Sequence, residues 1–307
     1  MRILFMGTPD FAVGSLKAMA EAGMDIVGVV SQPDKPKGRG HKLVPTEVKA
    51  AAVELGLNVY QPEKLKNMEL MPILEELKPE LIVVTAYGKI LPSYIIEYPK
   101  YGCINVHASL LPKYRGAAPI QWAIINGETE TGVTIMQMDA GLDTGDMLYS
   151  EKTEIGKYET SEELFGRLSV IGGRALVHTI NNIENIKPVA QDDSKHTYAP
   201  MISRKTGIID WSKSAEQISK LICGLNSWPL ANTTYKGETL KLVSAEITGG
   251  KGKPGEILSL DKGKGLKVAA GTGAIYIKTA QFAGSKKMNV EDYARGHEIE
   301  IGTVLGK

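Results

Sequence analysis

Apolar residues in the first half of the chain come in short runs separated by stretches with helical spacing. Residues 2–6 carry Ile3, Leu4, Phe5 and Met6 and read as a strand; Thr8, Pro9 and Asp10 then open a helix with Phe11, Leu16 and Met19 on its inner face. The same pattern predicts a strand over 25–30, a helix over 46–55 behind Pro45, and a weaker helix over 68–77 with Pro72 in its first turn. Residues 80–85, Glu-Leu-Ile-Val-Val-Thr, form the unbroken apolar run of a strand covered on both faces. A strand over 102–107, a helix over 118–126, a strand over 131–136 and a long amphipathic helix over 162–183 follow. Strands alternating with helices predict an α/β domain with a doubly wound, mostly parallel, Rossmann-like sheet, which binds ligands at the carboxyl ends of its strands.

The pattern then changes. Residues 187–200 contain Pro188, Asp192, Asp193 and Ser194 and read as a linker. Short strand-like segments at 207–211, 233–235, 239–247, 255–260, 266–269 and 274–280 alternate with turns rich in Gly and Lys, and one helix spans 214–225. This spacing predicts a small β-barrel of the oligonucleotide-binding type. The expected organisation is a first domain over 1–188, a linker over 189–205 and a second domain over 206–307. Residues 32–45 interrupt the first domain with Lys35, Lys37, Arg39 and Lys42 against Asp34 alone. Their Pro and Gly content argues against helix or strand, so a long basic loop is expected.

Charge sharpens this picture. The 307 residues carry a net charge of only +1, yet 205–307 hold 15 Lys or Arg against 10 Asp or Glu. A basic second domain is a solvated surface or a face for a polyanion. The two cysteines, Cys103 and Cys223, make neither a disulfide framework nor a zinc site, and the five His lack ligand spacing, so no metal is expected. The opening apolar run is too short for a secretory leader, and no stretch reaches the roughly 18 apolar residues of a membrane helix; a cytoplasmic protein is expected. Gly250-Lys-Gly-Lys-Pro-Gly255 matches a dinucleotide fingerprint in letters, but Pro254 sits inside it and no helix follows.

The chemistry-bearing residues concentrate in two segments. In Ile104-Asn-Val-His-Ala-Ser109, Asn105 and His107 lie two apart at a strand end and so share one face. Asp139-Ala-Gly-Leu-Asp-Thr-Gly145 is a tight loop offering one or two carboxylates. An Asn amide and an imidazole can donate to an oxygen that gains negative charge, and a carboxylate beside them can take a proton from an attacking amine. Acyl transfer to an amine needs that set. Taken singly, each residue is also an ordinary structural group or turn residue. Ser109 lies on the His107 face as well, but without the Gly-x-Ser-x-Gly elbow of a nucleophilic serine.

Asn-Val-His-Ala-Ser-Leu-Leu-Pro at 105–112, Tyr-Arg-Gly-Ala-Ala-Pro-Ile at 114–120 and Asp-Ala-Gly-Leu-Asp-Thr-Gly at 139–145 are similar to the folate-dependent formyltransferases. So are Met-Gly-Thr-Pro-Asp-Phe at 6–11, Gln-Pro-Asp-Lys-Pro at 32–36 and Gly-Arg-Gly at 38–40, and the likeness extends over essentially the whole chain. The resemblance implies 10-formyltetrahydrofolate as co-substrate and formyl donor. The acceptor, for the branch acting on charged tRNA, is the methionyl amino group of initiator methionyl-tRNA, and the context is translation initiation. It puts the catalytic roles on Asn105, His107 and Asp143. It puts folate contacts on Ser109, Leu110, Leu111 and Pro112 and, more loosely, on Tyr87, Ile90, Leu91 and Pro92. It puts tRNA contacts on Lys35, Lys37, Arg39 and Lys42 and on the second domain. A monomer is expected. A formyltransferase for a small amine shares the chemistry but has no use for the basic loop and domain. A nucleic-acid-binding protein without activity has no use for Asn105, His107 and Asp143. A dehydrogenase lacks its fingerprint here.

Overall fold

The computed structural model describes residues 1–37 and 42–307. Two compact units emerge: Met1–Gly116, Thr131–Thr153 and Phe165–Tyr198 form the first, and Ala117–Glu130, Glu154–Leu164 and Ala199–Lys307 the second.

The first unit begins β1 (Arg2–Gly7), α1 (Asp10–Glu21), β2 (Asp25–Val30), β3 (Lys35–Lys37), β4 (Lys42–Val44), α2 (Glu47–Glu54), β5 (Val59–Tyr60), α3 (Met71–Leu77), β6 (Leu81–Thr85), α4 (Ser93–Ile96) and β7 (Cys103–His107). Then come α5 (Pro119–Ile125), which falls in the second unit, β8 (Glu130–Gln137), β9 (Met147–Glu154) and α6 (Ser161–Asn181). Seven strands form one sheet in the order β5-β2-β1-β6-β7-β8-β9. β1 pairs in parallel with β2 and β6, and β6 with β7, as the alternation of strands and helices predicted.

Two features of the seven-stranded sheet differ from expectation. β8 runs antiparallel to β7, with Asn105 opposite Met136 and His107 opposite Thr134. Its run 131–136 is wholly buried, and a run buried on both faces reports burial, not direction. β9 was not anticipated, because its polar residues Ser150, Glu151, Lys152 and Glu154 mask an outer strand of the sheet.

The core against α3 and α4 is made by Leu4 and Met6 of β1, Ile82 and Val84 of β6, and Leu70, Leu74 and Ile95. On α6, Gly173 allows close approach to α1: a Cβ there would stand 2.8 Å from the Ala18 Cβ and 3.0 Å from the Gly14 carbonyl oxygen. Residues 35–37 and 42–44 pair as an antiparallel hairpin, correcting the expectation of a loop without strands. Pro36 is tolerated because a two-stranded ribbon has an unpaired edge on each side.

The second unit continues with α7 (Ala215–Gly224), β10 (Ala231–Tyr235), β11 (Glu238–Thr248), β12 (Ile257–Asp261), β13 (Gly265–Ala269), β14 (Ala274–Gln281), β15 (Met288–Asn289) and α8 (Val290–Ala294). Its sheet is antiparallel in the order β10-β11-β14-β13-β12, with β15 beside β14. Lys236 and Gly237, both at positive φ, make the two-residue turn between β10 and β11. Ile218 and Ile222 of α7 pack with Leu240, Leu242, Ile275 and Ile277 in one core. Residues 207–211, expected as a strand, contribute a single bridge from Ile208 to Asn232.

Candidate active site

β7 ends at His107, with Asn105 two residues earlier on the same side of the strand. The imidazole is buried, hydrogen-bonded at one ring nitrogen and close to a carboxylate at the other. Its Nε2 lies 2.9 Å from the Tyr114 carbonyl oxygen, and its Nδ1 lies 3.7 Å from Oδ2 of Asp143. A carbonyl only accepts, so Nε2 carries a hydrogen and donates it to Tyr114. Nδ1 is left on the side of Asp143.

Asp143 takes a left-handed backbone, φ 54°, which Asp tolerates better than most residues. The backbone N–H of Gly116 donates to its Oδ2 at 2.8 Å, while Oδ1 has no partner among the described residues. Asp139, the other acid of this loop, is spent on local geometry. Its Oδ1 accepts from the Gly141 N–H at 2.9 Å and from the Thr144 hydroxyl at 2.7 Å. The structure thus brings together His107 and Asp143 and leaves Asp139 in a turn. Asn105 is half-buried, and its amide makes no hydrogen bond among the described residues.

The segment after β7 is held from below. The fully buried hydroxyl of Ser109 donates to the Lys113 carbonyl at 2.6 Å, so it is committed to the turn and is not aligned as a nucleophile on His107. Thr134, opposite His107 on β8, donates to the Ser109 carbonyl at 2.7 Å and accepts from the Leu111 N–H at 3.2 Å. Leu111 is buried, while Leu110 and Pro112 keep part of their surface. In the other segment expected at the folate, Tyr87 and Leu91 are packed in the core with Ile95. Burial pushes the Tyr87 phenol up to about 12. Its side chain faces the interior, and its carbonyl accepts from Thr8 and Gln32. Ile90 is 90% exposed, and Pro92 caps α4 half-buried, so these two residues are the ones with open surface.

Of the basic residues expected at a nucleic acid, Lys35 is exposed, Lys37 and Lys42 pair through their backbones in the hairpin, and Arg39 lies outside the described residues. The base of the hairpin is pinned by a triangle. Lys49 Nζ reaches Asp34 at 2.6 Å and Gln61 at 2.7 Å, and Gln61 donates to Asp34 at 2.7 Å. Hydrogen bonds from Gln61 and then Lys49 hold the Asp34 carboxyl below its usual range.

Sequence reasoning missed three residues. Thr134 is one. Gln191 and Arg115 are the others: Gln191 donates to the carbonyls of Asp143 and Gly145, both at 2.8 Å, and Arg115 holds Gln191 from behind. Gln191 lies in the stretch read as a linker, where polar composition gave no signal.

The family described as Formyl transferase matches residues 1–180, and its C-terminal domain matches residues 201–298. A methionyl-tRNA formyltransferase of Clostridium novyi is 50% identical over 310 residues, covering 99% of this chain and all of that one. One of Geobacter metallireducens is 47% identical over all of this chain and 99% of its own.

The chain belongs to the methionyl-tRNA formyltransferase family.

Solved structures share the fold at lower identity. HypX of Aquifex aeolicus in complex with tetrahydrofolic acid superposes with a TM-score of 0.63 at 18% identity, over 99% of this chain and half of that one. The sugar 3N-formyl transferase WlaRD superposes with a TM-score of 0.64 at 19% identity, over 93% of this chain and 99% of its own. In this chain the segments 105–112 and 139–145 carry His107 and Asp143, which the fold brings to 3.7 Å from each other. No helix among the described residues is long and apolar enough to cross a membrane.

Proposed function

We propose that this chain transfers the formyl group of 10-formyltetrahydrofolate to the methionyl amino group of initiator methionyl-tRNA, and that Asn105, His107 and Asp143 carry the chemistry. The observation that carries the assignment of residues is the placement of the Asp143 carboxylate on the Nδ1 side of His107, from a separate loop.

The amine nitrogen attacks the formyl carbon, a new C–N bond forms, and the bond from that carbon to N10 of the folate breaks. The amine loses one proton and N10 gains one. Charge that builds on the formyl oxygen is met by the Asn105 amide, whose donors are unspent, and by the His107 ring from its Nδ1 side. Oδ1 of Asp143, free of protein partners among the described residues, accepts the amine proton directly or through one water. Gly116 meanwhile holds Oδ2 in place. Asn105, His107 and Asp143 come from one chain, so a monomer is sufficient for the reaction. A cytoplasmic location follows from the acceptor. For the donor, we assign folate contacts to Ser109–Pro112, mainly to the partly exposed Leu110 and Pro112, and to Ile90 and Pro92 of the neighbouring loop. The inward side chains of Tyr87 and Leu91 shape that loop from beneath.

A nucleic-acid acceptor is supported by surface chemistry in each unit. The second unit carries an open groove of about 560 Å³ lined by Arg204, Lys205, Trp228, Asn232 and Lys241, with Trp228 55% exposed. Cations for phosphates beside an exposed indole for a base suit an unpaired or splayed strand. The first unit carries a smaller groove of about 290 Å³ at the hairpin base, lined by Thr8, Gln32, Lys35 and Pro36. Lys35, Lys37, Arg39 and Lys42 are assigned to the same acceptor.

The test is a formyl-transfer assay with charged initiator tRNA, charged elongator methionyl-tRNA and free methionine as acceptors. Initiator methionyl-tRNA is the expected substrate; equal activity on free methionine removes the tRNA assignment. Asp143→Asn is expected to lower kcat by roughly 10²–10⁴-fold with the acceptor KM little changed, and near-normal transfer by that variant removes the catalytic assignment.

A further inference from the structure

Tyr114, Arg115 and Gly116 are consecutive, and each grips a different part of the site. The Tyr114 carbonyl takes the His107 Nε2 hydrogen, the Arg115 guanidinium takes Gln191, and the Gly116 N–H takes the Asp143 carboxylate. The irregular stretch after α6 is bonded to them. Met147 and Val189 bridge, the Tyr114 N–H donates to the Thr197 hydroxyl at 2.8 Å, and the Arg115 N–H donates to the Thr197 carbonyl at 2.9 Å.

Gln191 is the one residue of this stretch whose side chain touches the Asp143 loop by hydrogen bonds to the main chain of Asp143 itself. Its amide orientation is forced. Oε1 accepts from Arg115 Nε at 3.0 Å and from Nη2 at 2.8 Å, and a guanidinium cannot accept, so the amide cannot flip. Nε2 therefore faces the loop and spends its two hydrogens on the carbonyls of Asp143 and Gly145. The buried Arg115 is balanced by Asp193 at 2.7 Å. Those two bonds fix the backbone on both sides of Thr144 and so fix the left-handed turn at Asp143.

We propose that Gln191 is a positioning residue for formyl transfer: it sets the Asp143 carboxylate at its working distance from His107, and the segment after α6 is part of the active site. The proposal rests on the assignment of Asp143 to the chemistry. A merely structural alternative is that Gln191 only satisfies the buried Arg115. Gln191→Glu separates the two. It keeps the length, strengthens the pairing with Arg115 and removes both donors to the loop, placing a carboxylate against two carbonyls.

The experiment measures kcat and both KM values for the full chain, Gln191→Glu, Asp143→Asn and the double variant, with folding checked by circular dichroism. A misplacement near 1 Å costs roughly 10²-fold in rate. Gln191→Glu is therefore expected to lower kcat about 30- to 100-fold with each KM within about threefold. In the Asp143→Asn background the same change is expected to cost less than about threefold more, because the group it positions is gone. Gln191→Met, which keeps the length without donors, serves if the Glu variant fails to fold, and the same kcat loss is expected. Normal kcat in Gln191→Glu or Gln191→Met, alongside a crippled Asp143→Asn, overturns the proposal. So does an equal loss with and without the Asp143 carboxylate. Full activity in Asp143→Asn overturns instead the assignment on which it rests.

Discussion

Gly145 closes the loop that carries Asp143, and replacing it by Ala is a test of how tightly the carboxylate is held. A Cβ at this position would stand 1.8 Å from the Gln137 carbonyl oxygen and 2.9 Å from its carbon. Ordinary carbon–oxygen contact begins at about 3.3 Å, so something must move by roughly 1.5 Å. The obstructing atoms are backbone at the end of β8, where the Gln137 N–H is itself bonded to the Asp146 carbonyl at 2.8 Å, so no side chain can swing aside. The loop has to give, and Asp143 lies two residues away with its neighbours tied to Gln191. A displacement of about 1 Å at the carboxylate costs roughly 10²-fold in rate. Overpacking of this kind costs about 1–3 kcal/mol of stability, a small part of the roughly 5–15 kcal/mol typical of a folded domain, so the variant stays folded at 25 °C. The assay is single-turnover formyl transfer per folded molecule beside a thermal melt. The expected outcome is a melting temperature lower by several degrees and a transfer rate down about 100-fold. A rate within threefold of the parent chain, once the folded fraction is counted, refutes the claim that this loop sets the geometry of the reaction.

Removing the unspent donors of Asn105 with Asn105→Ala is expected to lower kcat by roughly 10²–10³-fold with unchanged KM for the folate, measured at saturating acceptor; a loss below tenfold denies it an oxyanion role. Lys205→Ala and Lys241→Ala, in the groove beside Trp228, are expected to raise the acceptor KM and to reduce the slope of log(kcat/KM) against log salt by up to about one each, with kcat retained. Burial pushes the Cys103 thiol up to about 12, whereas a free thiol ionises near about 8.5. Above that pH the unfolded chain releases a proton that the folded chain keeps, so this group's contribution to stability declines as pH rises toward 12. Cys103 is accordingly expected to resist a thiol reagent at pH 8 in the native protein and to react on denaturation; fast native labelling contradicts its burial.

Much of this molecule is legible in residue patterns because burial has a period. The all-buried run of β6 and the alternation of strands and helices up to β7 read directly as a sheet covered on both faces. Direction does not have a period, so antiparallel β8 looked like another crossover strand. The site divides the same way. Asn105 and His107 are legible as a pair because a strand carries residues two apart on one face. Residue chemistry alone does not separate Asp143 from Asp139, and the choice rests on the resemblance of the motif; the positive φ of one and the turn hydrogen bonds of the other now distinguish them. Tyr87 is ambiguous in the letters because an aromatic ring with a hydroxyl suits a pocket as well as a core, and here its side chain packs inward. Gln191 was invisible for the opposite reason. Gln191, Asp192, Asp193 and Ser194 have the composition of a solvated connector, and only the location of Arg115 turns one of them inward.

The fold alone does not choose the acceptor. Enzymes that formylate amino sugars share this architecture at under 25% identity, and one fold hosts many acceptors once the transfer site is in place. The residues proposed for the transfer, Asn105, His107 and Asp143, lie within the first unit. The proposed tRNA acceptor rests on surface outside the segments that carry them. Here that surface is Lys-rich and holds Trp228 open to solvent. It belongs to the part of the chain that aligns end to end with relatives named for methionyl-tRNA. A basic groove beside an open indole has the chemistry to hold phosphates and stack a base.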